Sequence, residues 1–329
     1  MRRRDFIKTM TAAAGAVALP RAVFAQNYPT RPVTMVVPFA AGGSFDVLGR
    51  VLTGRLSETM GQQIVVENVT GAAGIVGCQR VKAAQPDGYT FLLATIGTHS
   101  YNPSIYKKLP YDPINDFTMV GLFAEMPMVL VVNKDLPIKN LKEFTDYVKA
   151  NEAKIQFGSA GVGSTTHLSC AMVNAAIHAD PVHVPYRGGG PAMADIMGGR
   201  LQYGCSNIGG VVEQVKAGNL KGIATLARTR SKALPDLPTA DEQGLKDFHV
   251  STWTSFVFPK NTPEAIVKKL HDCVGQTIDT PQVIELLHKQ GVEPVDKARR
   301  SPEYLAKFIQ EDIKRWEGPI KAAHIEVDK

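Results

Sequence analysis

Only four cysteines occur in the 329 residues, and no two stand in a C-x-x-C pair. Neither a zinc ribbon nor a thioredoxin-type redox site is therefore encoded. No H-E-x-x-H is present and the eight histidines show no ligand spacing, so no metal site is expected. A G-x-x-x-x-G-K-[ST] loop is missing, which excludes a P-loop, and no G-x-S-x-G marks a nucleophile elbow. No cofactor is expected. Aromatics make up 7%, and no Lys/Arg stripe is interleaved with them, so nucleic acid is not an expected partner. No run of eighteen apolar residues exists, so nothing in the body of the chain reads as a membrane span. Cys78, Cys170, Cys205 and Cys273 allow three pairings, and four free buried thiols fit equally well.

What is present begins with an export segment. Residues 1–25 have a charged start (Arg2, Arg3, Arg4), an apolar stretch from Met10 to Leu19 and Val23-Phe24-Ala25 before a break. This is the pattern of a signal peptide, with cleavage expected before Gln26. Arg3-Arg4-Asp5-Phe6-Ile7-Lys8 resembles a twin-arginine signal, so a periplasmic location is expected. The whole chain carries a net charge of +6. Removing the segment's five basic residues and one acid leaves 32 cations against 30 anions, a net of +2. The apparent basicity belongs mostly to the export signal.

The mature chain alternates short apolar runs with helical patterns. TMVVPF precedes a helix from Asp46 to about Met60, and IVVEN (64–68) precedes one near Val76 to Ala84. FLLAT (91–95), MVLVVN (128–133), IQFGSA (155–160), VHVPY (182–186), LQYGCS (201–206), GIATLA (222–227) and SFVFP (255–259) supply further strands. Helices are expected over 141–151 and 165–177, and Thr262-Pro263-Glu264 starts a helical C-terminal portion. This alternation predicts an α/β fold with mostly parallel sheets. Two segments, VVPFAAGGSFDVLGRVL and IQFGSAGVGSTTHLSCAMV, share a plan of strand, small-residue loop and helix. Their separation suits one loop in each of two lobes. A helix start leaves N–H groups without partners and carries partial positive charge. Small residues let a ligand approach those groups. Each loop is therefore a candidate anion cradle that needs no cationic side chain. The alternative is a plain connection with Asp46 and Ser164 as helix caps. Gly161-x-Gly163-x-x-Thr166 lacks the third glycine of a dinucleotide fingerprint.

Several segments together resemble the solute-binding proteins of tripartite tricarboxylate transporters, the Bug or TctC family. They are YPTRPVTMVVPFAAGGSFDVLGRVL, GQQIVVENVTGAAGIVG, AAQPDGYTFLLAT, FGSAGVGSTTHL, HVPYRGGGPAMADIMGGRLQ and LPDLPTADEQG. The resemblance implies a two-lobe α/β periplasmic binding protein of type II-like architecture, each lobe a mostly parallel sheet flanked by helices. Residues 26–126 and 251–329 would form lobe 1, and 127–250 lobe 2. It implies a receptor, expected to be monomeric, that captures a small organic acid (a mono- or dicarboxylate, aliphatic or aromatic) and delivers it to a two-component membrane permease.

Carried over by position, the resemblance assigns ligand contacts to Phe39, Ala40, Ala41, Gly42 and Ser44 in the first loop. It adds Thr95, Thr98 and His99 after the third strand. In the second lobe it assigns Ser159, Ala160, Gly163, Ser164, Thr165 and His167, with Tyr186 and Gly188 after the next strand. Ala40-Ala41 stand where many relatives have a proline pair, and Cys205-Ser206-Asn207 where many carry an aspartate, which disfavours an amino-acid ligand. Two other readings stay open: a receptor that reports to a sensor protein, and a hydrolase built on Ser164 and His167.

Overall fold

The computed structural model describes residues 28–322. The export segment and its cleavage point lie outside the described residues. Ten strands and ten α-helices, largely alternating, occur among the described residues. The strands are β1 (Val33–Val37), β2 (Ile64–Asn68), β3 (Thr90–Thr95), β4 (Phe117–Asn133), β5 (Gln156–Ser159), β6 (Val182–Pro185), β7 (Tyr203–Asn207), β8 (Leu220–Thr225), β9 (Ser251–Pro259) and β10 (Glu293–Pro294). The helices are α1 (Ser44–Met60), α2 (Ile75–Lys82), α3 (Asn102–Ile105), α4 (Leu141–Asn151), α5 (Thr165–Ala176), α6 (Gly189–Met197), α7 (Val212–Lys216), α8 (Glu264–Ile278), α9 (Pro281–Lys289) and α10 (Pro302–Ala322).

The strands form two sheets that share β4. The first runs β2-β1-β3-β9-β4 and the second β4-β7-β5-β6, with β10 and β8 also paired to β4. Outer strands are parallel: β1 with β2 and β3, and β5 with β6 and β7. Every pairing to β4 is antiparallel, as is β3 with β9. The sheets are therefore mixed where mostly parallel ones were expected, because β4 runs against its neighbours as it crosses between lobes. The apolar run read at 128–133 is only its second half; the strand is 17 residues long. Its first half includes Gly121 and Glu125, which hid the strand from a search for unbroken apolar runs. Register shifts near Gly121, Ala124 and Val131 mark bulges, which bend a strand. The returning chain lies beside β4: the Leu226 N–H donates to the Met128 carbonyl at 2.7 Å, and the Val250 N–H to the Leu226 carbonyl.

The core follows this layout. One buried cluster continues through both lobes along β4, from Val36 and Leu92 through Leu122 and Leu130 to Phe144 and Leu168. Separate clusters back the two sheets, around Phe91, Phe123 and Phe256 in one and Val129, Val131 and Ile196 in the other. All four cysteines are buried and unpaired. Among the described residues no helix is long and apolar enough to cross a membrane.

This arrangement places the C-terminal ends of β1 and β5, the central parallel strands of the two sheets, beside each other. Crevices at such strand ends are where open α/β sheets take ligands.

Candidate functional site

The loop after β1 is shaped by a carboxylate. Asp46 is only 3% exposed and lies in the first turn of α1. Its Oδ2 accepts the Gly42 N–H at 2.9 Å, and its two oxygens accept from Arg50 and from Asn68 Nδ2, all near 3.0 Å. Asn68 Nδ2 also donates to the Phe39 carbonyl. Burial alone would raise the Asp46 carboxyl, but the bonds from Arg50, Gly42 and Asn68 outweigh it and hold the group below the usual carboxylate range. Gly42 takes φ +77°, a left-handed turn open to glycine at no steric cost. The Gly43 N–H donates to the Ala40 carbonyl. Asp46 thus clamps the loop from inside, and the N–H groups of Ser44, Phe45 and Asp46 meet no acceptor among the described residues.

The loop after β5 is held by neutral groups. Ser164 caps α5, its Oγ accepting the His167 N–H and donating to the Gly161 carbonyl at 2.7 Å. The Gly163 N–H donates to His167 Nδ1 at 3.1 Å, and the Ala160 N–H to Thr166 Oγ1 at 2.8 Å. The N–H groups of Thr165 and Thr166 meet no acceptor among the described residues. His167 stacks on His183 with ring centroids 3.9 Å apart, and both stack on Phe157. Burial pushes His167 down to about 3, helped by His183, and burial pushes His183 down to about 4. These rings are neutral packing elements near pH 7. No hydrogen bond joins the Ser164 hydroxyl to the His167 ring, so the geometry gives the hydrolase reading no nucleophile–base pair.

The two helix starts face one small cavity. It measures about 30 Å³, and its walls include Ser44 and Phe45 from α1, Ser164 and Thr165 from α5, and Asn207 at the end of β7. That is room for about two waters. Two of its side-chain atoms, Thr165 Oγ1 and Asn207 Oδ1, are buried without a hydrogen-bond partner. Such groups carry a cost of about 1–3 kcal/mol when left unpaired. Asn207 Nδ2 donates to Ser44 Oγ at 2.8 Å across the cleft, and the Tyr106 hydroxyl to the Val162 carbonyl at 3.1 Å. A Cβ added at Gly188 would sit 2.6 Å from Ala40 Cβ and 2.9 Å from Ala40 N. The lobes are therefore in contact and the cleft is closed.

A groove of about 580 Å³ opens beside the cavity, and Phe39 and Ala160 line both spaces. One wall is the turn Gly71–Gly74, whose four residues all have positive φ: 135°, 44°, 51° and 90°. For Ala72 and Ala73 this left-handed backbone costs roughly 1–2 kcal/mol each. Gly74 packs closely on Thr98, since a Cβ there would lie 2.7 Å from Thr98 Cγ2.

Of the residues expected at the site, Phe39, Gly42, Ser44, Ala160, Ser164 and Thr165 line the cavity, and Tyr186 lines the groove. The remaining nine line neither. Ala40 and Gly188 make the interlobe contact, and Ala41 is exposed at the loop tip. Thr95 and Thr98 bond each other beneath the site. His99 is fully buried against Phe117 and Tyr111 and pushed down to about 3 by burial. The Ser159 hydroxyl bonds His183 Nε2 at 2.6 Å. Gly163, at φ +81°, and His167 shape the second loop. Tyr186 is pinned by a 2.5 Å bond from its hydroxyl to Asp195, itself paired with Arg200. Asn207, Thr166 and the 71–74 turn were not foreseen. The run TGAAGIVG held a signal for the last, because paired glycines mark turns that need positive φ.

Two lobes joined by a shared strand, with helix starts from both meeting in the cleft, define a periplasmic-type solute-binding protein. A family model described as "Tripartite tricarboxylate transporter family receptor" matches residues 48–325. The chain belongs to that family, the TctC receptors. It is similar to the periplasmic binding protein BugD, with 37% identity, 91% of this chain and 99% of that one covered, and a TM-score of 0.88. MatC of Rhodopseudomonas palustris, solved with bound malate, shares 38% identity over 89% of this chain and 100% of its own, with a TM-score of 0.86. A second R. palustris protein, solved with adipate, shares 32% identity over 91% and 99%, with a TM-score of 0.87.

Proposed function

We propose that this protein is an exported receptor that captures a small organic carboxylate between its lobes and hands it to a tripartite tricarboxylate transporter permease. The observation that carries this reading is the cavity itself. Unsatisfied N–H groups from α1 and α5 converge on it from opposite lobes, beside the orphaned Thr165 Oγ1 and Asn207 Oδ1. Two helix N-termini and a set of hydroxyl and amide groups suit a carboxylate head. The small acids bound by relatives of this fold, malate and adipate, agree with it.

In this reading residues 26–126 with 251–329 and residues 127–250 move as the two lobes, hinged at β4 and the returning chain. Closure seals the head group in the cavity, and the closed form is what the permease recognises. The chain acts as a monomer and reaches the periplasm by the twin-arginine route. A thermal-shift screen of aliphatic and aromatic carboxylates tests the proposal. A ligand at a hundred times its Kd adds about 2.7 kcal/mol of stability, and scattering should show compaction with the same acid. A panel of acids that leaves the melting temperature unmoved would remove the receptor function.

A further inference from the structure

The cavity at the helix starts holds a head group and little more. At about 30 Å³ it takes a carboxylate in place of two waters, not a whole acid. The groove of about 580 Å³ adjoins it, since Phe39 and Ala160 line both spaces, and offers room for the remaining part of a bound acid. That groove is different in kind. Phe39, Ala73, Tyr106, Val162 and Tyr186 give it mainly apolar walls, drawn from both lobes. One of those walls is the left-handed turn 71–74. A strained backbone that persists at a cleft is held there by its surroundings and marks a shaped surface. The groove's lining contains a single charged side chain, Arg187. Arg187 is exposed and makes no hydrogen bond or ion pair among the described residues, whereas its neighbour Tyr186 is pinned to Asp195.

We infer that the groove is a second subsite for the far end of the ligand, and that Arg187 reads an anionic group there. The receptor then selects elongated dianions, two carboxylates separated by an apolar spacer, over acids with one charged end. This rests on the carboxylate reading above and adds a length and charge rule to it. The main-chain donors fix the near carboxylate, the apolar walls take the spacer, and the guanidinium meets the second carboxylate at the rim. A planar guanidinium suits that role, since it pairs with a carboxylate through two N–H groups.

The test is calorimetry on the full mature protein with adipate and hexanoate, two acids of equal length that differ in one charged end, and with malate as a short dianion. Wild type should bind adipate more tightly than hexanoate by about fivefold, about 1 kcal/mol. Arg187→Gln should erase that gap by weakening adipate alone, and Arg187→Glu should reverse it. Raising the salt concentration should narrow the gap in wild type and leave Arg187→Gln unmoved. A gap that survives Arg187→Gln, or a loss shared equally by hexanoate, overturns the assignment. Malate binding with no measurable adipate binding overturns the elongated-ligand rule and leaves the receptor intact. Absence of binding by every acid in a wide carboxylate panel overturns the receptor reading itself.

Discussion

The two loops that build the cavity reach the same end by different chemistry. In the first, a buried carboxylate in the first turn of α1 reaches back and takes the Gly42 N–H, with Arg50 and Asn68 completing its shell. In the second, a serine cap and a stacked histidine pair do the holding, with no charge involved. Both leave the next N–H groups of the helix facing the cleft. A bared helix start needs a clamp of its own, and the clamp decides how the loop responds to pH. The first depends on an ionised acid; the second depends on bases that stay neutral.

Removing the first clamp should have the largest effect. Asp46→Ala strands Gly42, Arg50 and Asn68 together, and hydrogen bonds to a charged group contribute about 1.5–3 kcal/mol. A stability loss near 2 kcal/mol by urea unfolding is expected, with carboxylate affinity falling more than tenfold by calorimetry. Normal affinity in a folded Asp46→Ala protein would mean that the loop holds itself.

Next comes closure. Gly188→Ala places a methyl group against the Ala40 backbone. It should weaken ligand binding about tenfold, near 1.4 kcal/mol, while unliganded stability stays close to wild type. Scattering should show the variant remaining open in the presence of ligand.

The pH response separates the two loops. In the second loop His167 and His183 are held neutral, with folded values of about 3 and 4 against about 6.5 unfolded. The unfolded chain binds more protons in that window, so their contribution is complete above about pH 6.5 and is lost as pH falls toward 3–4. Each ring costs about 1.4 kcal/mol per pH unit while the window lasts. The Asp46 clamp should persist through most of this range, because its carboxyl titrates below the usual carboxylate value. Hydrogen exchange between pH 6.5 and 4.5 should show α5 and its loop loosening before α1. Simultaneous loosening of both would erase the distinction.

The smallest effect concerns the strained turn. Ala72→Gly relieves a left-handed alanine and should stabilise the protein by up to about 1 kcal/mol, offset in part by the greater freedom glycine gives the unfolded chain.

How far these regions were legible in the sequence follows from the same physics. The strand–loop–helix plan around Ser44 and Ser164 was visible because apolar runs, small residues and helical periodicity are local signals. IVVEN and the helix at 141–151 fall where the pattern put them. The first half of β4 did not show, because Gly121 and Glu125 interrupt its apolar pattern. Within the site, Asp46 read as a cap, yet its role as a clamp depends on Asn68 from another strand. Asn207 and the groove were invisible for a related reason: residues of the two lobes, distant in the chain, share one cavity only because the fold brings them together. The histidines were misleading by type, since burial rather than chemistry sets their state.

The most direct test is a crystal structure of the complex with whichever carboxylate gives the largest thermal shift. One carboxylate is expected within about 3 Å of main-chain nitrogens from both Ser44–Asp46 and Thr165–Thr166, in a closed cleft. A head group gripped by a side-chain cation, or seated away from either helix start, would contradict it.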